Sequence, residues 1–123
     1  MSPRRFTRES RRNFLANGKI GTYLGFCIRS GKLVFGVDGA EKLKRDVYLL
    51  IADKTLSENS LKALFKIKEK FSCPLLVTKE NLGELLHRPA VKAAAVRDKN
   101  LAAAILTSAE GDAQYKLYSG GNN

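Results

Sequence analysis

A chain of 123 residues holds one domain with tails, and its 44% hydrophobic content is that of an ordinary globular protein, which excludes disorder throughout. No apolar run approaches the ~18–20 residues that a membrane helix needs, so a membrane-spanning protein is excluded on the same reading. A formal net charge of +10 makes nucleic acid the obvious partner.

The N-terminus is charged and has no small-residue cleavage site, so a secretory leader is not expected and the protein reads as cytoplasmic. Residues 1–12 hold five arginines, Arg4, Arg5, Arg8, Arg11 and Arg12, against one acid, Glu9. Residues 1–16 therefore read as a basic, disordered arm, and arginine suits planar contacts to an RNA backbone.

Residues 17–108 alternate helical and strand periodicity. Helical spacing covers residues 17–30, with Ile20, Leu24, Cys27 and Ile28 on one face. A short apolar strand at 32–35 stops on Gly36 and hands over to a helix at 38–45, a junction whose free backbone N–H groups suit a phosphate. Residues 47–52 form a continuous apolar strand, of the kind buried on both faces. Thr55 and Glu58 make a capping-box pattern ahead of a helix at 57–71, whose Lys62, Lys66 and Lys70 recur as one solvated stripe. A strand at 75–77, a helix at 79–86, a strand at 93–96 and a helix at 100–108 complete the series. Residues 109–123 are a polar tail in which 114–118 is the part expected to dock. Strands alternating with helices at short spacing predict an α/β fold, a three-layer α/β/α sandwich.

Catalytic signals are missing. The chain has no phosphate-loop motif, no nucleophile elbow and no pair of histidines at metal spacing. Asp38, Glu41 and Asp53 have no base that the sequence brings near them. Cys27 and Cys73 lie far apart among apolar residues and read as small buried hydrophobes, while His87, the single histidine, reads as a surface residue. No enzyme, cofactor or metal is expected.

The junctions taken together resemble the L-seven-Ae and L-thirty-e ribosomal protein family, which binds kink-turn RNA, and most closely its small bacterial YlxQ-type branch. The resemblance spans residues 19–106. It rests on Ser30-Gly31-Lys32-Leu33-Val34 leading to Gly36, on Lys42 in the next helix, on Asp53 followed by Ser57-Glu58-Asn59, and on Leu82-Gly83 ahead of an Ala/Val strand.

What the resemblance implies is a mixed four-stranded sheet between helices, with RNA held at two places. Carried over by position, these are Gly36, Val37, Asp38, Gly39 and Lys42 at the junction, and His87, Arg88, Pro89, Ala90 and Val91 in the loop before the last strand. Lys32 and Arg88 would add positive charge at the rim. The chain departs from the family at Asp38 and Gly39, where an asparagine or lysine and then a glutamate or glutamine usually read base edges, and at His87, which stands for a loop glycine. The expected function is non-catalytic binding of structured RNA, ribosomal RNA or a kink-turn-like element, alongside ribosome or ribonucleoprotein components. The competing expectation is a protein-interaction module of the same fold with residues 82–91 as its partner surface.

Overall fold

A computed structural model describes the backbone of residues 8–79, 81–110 and 115–118, with side chains from residue 19 onward. The elements in chain order are α1 (Arg8–Arg29), β1 (Leu33–Phe35), α2 (Val37–Glu41), β2 (Leu49–Asp53), α3 (Glu58–Phe71), β3 (Leu75–Thr78), α4 (Leu82–Leu86), β4 (Ala93–Val96), α5 (Lys99–Ala109) and β5 (Tyr115–Tyr118). The strands form a single mixed sheet in the order β1-β4-β2-β3-β5. β2 and β3 run parallel, and the other pairings are antiparallel.

The period of two along each strand builds two cores. Leu49 and Ile51 of β2 point with Ala94 and Val96 of β4 into a layer shared with Ile20, Leu24 and Cys27 of α1, Leu82 and Leu86 of α4, and Ala102 and Ile105 of α5. Leu50 and Ala52 point the other way, with Ala93 and Ala95, against Ala40 of α2 and Leu64 and Ile67 of α3. The sheet is thus covered on both faces, as the alternation of elements predicted.

Four expectations need correction. The sheet has a fifth strand, because β3 would otherwise expose a free edge and Tyr115–Tyr118 pairs along it, with Tyr115 buried in one layer and the Tyr118 ring edge-on to Phe65 at 5.2 Å. α1 begins at Arg8 instead of residue 17, so Arg8, Arg11 and Arg12 lie within its span, while Arg4 and Arg5 lie outside the described residues. Good helix formers in residues 8–16 extend a helix already nucleated by packing at small cost. α2 stops at Glu41 instead of running to residue 45. The following turn is held from outside, by the Lys70 ammonium donating to the Leu43 carbonyl (3.0 Å) and by Arg97 donating to the Arg45 carbonyl (3.2 Å). Finally, Ser57 rather than Thr55 caps α3, its hydroxyl accepting from Ser60 N–H at 3.2 Å.

Cys27 and Cys73 are buried free thiols whose pKa burial pushes up to about 11, so both stay protonated at neutral pH. Among the described residues no helix is long and apolar enough to cross a membrane.

Candidate nucleic-acid interface

The junction after β1 is shaped by one glycine. Gly36 has φ 85° and ψ 157°, a combination essentially confined to glycine, and it lets the chain reverse from strand into α2. Its N–H donates to the Ala93 carbonyl (2.7 Å) and its carbonyl accepts from Ala40 N–H (3.1 Å), so the turn is pinned to the first residue of β4. α2 is five residues long and has no side-chain cap, since neither Asp38 nor Glu41 bonds its first turn. A macrodipole needs several aligned turns, so the side chains around this junction dominate its electrostatics.

The loop before β4 is folded back on α4. His87 ends that helix in the left-handed conformation (φ 58°), the geometry a glycine would favour at this position. Arg88 N–H then donates to the Gly83 carbonyl at 2.8 Å. A Cβ on Gly83 would stand 2.8 Å from both the Arg88 and Pro89 carbonyl oxygens, so the loop can lie this close only over a glycine. From that platform the Arg88 guanidinium reaches the ring of Phe35, 4.8 Å from its centroid, and joins loop to strand by a cation–π contact.

Asp53, buried at the end of β2, sets the start of α4. Its carboxylate accepts from Leu82 N–H (2.6 Å), from Thr55 N–H (2.9 Å) and from the Thr55 hydroxyl. Burial would raise its pKa, but those hydrogen bonds and the nearby Lys92 charge outweigh it and hold the carboxyl below its ordinary 3.8. The Asp53 N–H in turn donates to the Lys92 carbonyl (2.8 Å), so the same residue fixes both ends of the α4 loop.

These restraints leave an open groove of about 460 Å³ between the two segments. Gly36, Val37, Asp38 and Gly39 form one wall, and Ala90, Lys92 and Ala93 form the other. Junction and loop therefore meet, although β2, α3, β3 and α4 separate them in the chain. Phe35, Leu56, Ser60 and Lys92 also line the groove and were missed by the sequence reading. For Lys92 the signal was at hand, since it directly follows the loop; Ser60 and Leu56 come from a different element and left none.

Other expected residues fall elsewhere. Lys42 is the exposed C-cap of α2, about 9 Å along the helix axis from Gly36. Val91 packs against the layer of α1, α4 and α5, and His87 and Pro89 are exposed outside the groove. Lys32 is a plain correction. The register pairs Leu33 with Val96, and Arg97 N–H donates to the Lys32 carbonyl (2.8 Å), so Lys32 sits at the far end of β1, away from the Gly36 rim. The side chains of Arg8, Arg11 and Arg12 lie outside the described residues. On α3, Lys62 and Lys66 are exposed, while Lys70 is drawn to the Leu43 carbonyl.

Among solved structures the chain is similar to a protein of unknown function from Bacillus halodurans, at 18% identity with a TM-score of 0.64, covering 75% of this chain and 97% of that one. The likeness is one of fold. No protein-family model and no curated protein matches the sequence.

Proposed function

We propose that this protein binds structured RNA without catalysis, in the groove between the β1–α2 junction and the loop before β4. One observation carries the reading: segments far apart in sequence line a single groove with an aromatic ring, Phe35, and cations, Arg88 and Lys92, at its edge. Recognition of non-duplex RNA draws on planar groups that an unstacked base can stack on, aromatic rings or guanidinium planes, and on positive charge for the adjoining phosphates. Here the Arg88 guanidinium lies over the Phe35 ring, so the guanidinium is the plane offered to a base. The net charge of +10 supplies attraction at longer range. The resemblance to kink-turn binders narrows the target to ribosomal RNA or a kink-turn-like element, with ribosome or ribonucleoprotein components as neighbours in a cytoplasmic setting.

The test is RNA binding as a function of salt. Replacing Arg88 and Lys92 by glutamine should lower the slope of log affinity against log salt by roughly 1 for each phosphate that is no longer neutralised. An unchanged slope and affinity would remove the groove from RNA binding and favour the protein-interaction reading of the same surface.

A further inference from the structure

At the opposite end of the sheet the connections α1–β1, α2–β2, α3–β3 and β4–α5 meet, and they are rich in cations. Lys32, Lys44, Arg45, Lys70, Arg97 and Lys99 gather there against Asp46, Glu69 and Asp98. Asp46 and Asp98 are already engaged. Asp46 lies 3.8 Å from Arg45 and 4.0 Å from Arg97, and Asp98 accepts from Leu101 N–H as the N-cap of α5. Lys32, Lys44 and Lys99 are exposed with no carboxylate partner among the described residues. The surface here is also concave: Lys44, Arg45 and Lys70 border an open depression of about 400 Å³ over the start of β2 and the end of α3.

We infer that this end is a second RNA-backbone surface, so that one chain bridges two RNA segments. The inference rests on the RNA-binding reading of the first groove and adds a separate surface to it. Along β4, Lys92 and Arg97 are five residues apart, which places the two ends ~17 Å from each other. That exceeds a Debye length of ~8 Å at physiological salt, so each end acts on its own phosphates. A protein partner is disfavoured by how little apolar surface the hollow opens to solvent: Tyr48, Phe71 and Pro74 line it but are half-buried, and Phe26 and Leu117, the large apolar side chains exposed among the described residues, do not border it. Lys44 at the hollow, with Lys32 and Lys99 at the same end of the sheet, none of them with a carboxylate partner among the described residues, matches a phosphate backbone instead.

The experiment titrates the full chain with a short RNA hairpin, from physiological salt upward, and compares it with doubly substituted forms that each remove equal charge. These are Lys44→Gln with Arg45→Gln at this end, Arg88→Gln with Lys92→Gln in the groove, and Lys62→Gln with Lys66→Gln on the exposed face of α3. The native chain should take up two hairpins. The Lys44/Arg45 form should hold one, with its salt slope reduced by roughly 2, and the Lys62/Lys66 form should still hold two. A native chain that saturates with one hairpin would overturn the inference. So would a Lys62/Lys66 form that loses as much as the Lys44/Arg45 form, or an end that takes polyglutamate in preference to RNA. If the Arg88/Lys92 form keeps both hairpins while the Lys44/Arg45 form loses one, the second surface stands and the first groove falls.

Discussion

The Asp53 carboxylate and the Leu82 N–H, 29 residues apart in the chain, meet at 2.6 Å, and this contact decides where α4 and its loop begin. The other partners of Asp53 are the N–H and hydroxyl of Thr55, so the site calls for a group that only accepts.

Asp53→Asn turns an acceptor into a donor facing one of these N–H groups. It should cost about 1–3 kcal/mol in denaturant unfolding, and it should also weaken RNA binding because the loop loses its anchor. The pH dependence follows from the sign of the shift. A carboxyl held below its unfolded value contributes stability that is complete above pH 3.8 and is lost as pH falls through the lower folded value. Asn at 53 should remove that acid-labile part, and an equal acid sensitivity in both proteins would contradict this role for Asp53.

Gly83→Ala tests the closeness of the loop. The new methyl would meet the carbonyl oxygens of Arg88 and Pro89 at 2.8 Å, and backbone has little room to give. A loss of about 1–3 kcal/mol is expected by calorimetry or denaturant titration, together with a shifted amide spectrum confined to residues 83–92. A neutral outcome would mean that the loop relaxes freely and does not present Arg88 in a fixed place.

Among single changes, Lys92→Ala should weaken RNA binding more than Lys42→Ala, and Lys66→Ala should leave it almost unchanged. Lys92 borders the groove, Lys42 lies a helix length away, and Lys66 is exposed on α3. All three positions are exposed, so melting temperatures should agree closely apart from a small loss for Lys92→Ala, whose charge helps hold Asp53 ionised, and binding is compared with each protein fully folded. Equal losses from all three would reduce the interaction to diffuse charge.

Deletion of residues 1–12 should flatten the salt slope of RNA binding, by up to about 4–5 if each arginine touches a phosphate. An unchanged slope would make this segment a bystander.

Kink-turn preference can be asked of Asp38 and Gly39. The native protein should bind a kink-turn hairpin little better than a plain hairpin, and Asp38→Asn with Gly39→Glu should restore ~1–3 kcal/mol of preference by analogy with other base contacts. Space constrains the design. A Cβ at residue 39 would sit 2.9 Å from Val34 Cγ1, so the pair needs Val34→Ala to avoid a packing cost. A native protein that already prefers the kink-turn would show that the groove reads it without those side chains.

The kind and order of most elements were legible because their signals are local. Ile20, Leu24 and Cys27 recur at helical spacing, residues 47–52 form an unbroken apolar run around β2, and the Ala/Val run at 93–96 coincides with β4. What tertiary structure alone decided depends on pairing between distant segments. β5 exists because β3 has an edge to offer, and α2 ends where Lys70 and Arg97 reach in from other elements. Lys32 and Gly36 look like neighbours in sequence, yet antiparallel pairing with β4 puts them at opposite ends of a strand, one beside Arg97 and the other beside Ala93. The same pairing carries Lys92 into the groove, because strand register is fixed by which residues bury together, and no local pattern encodes that partner.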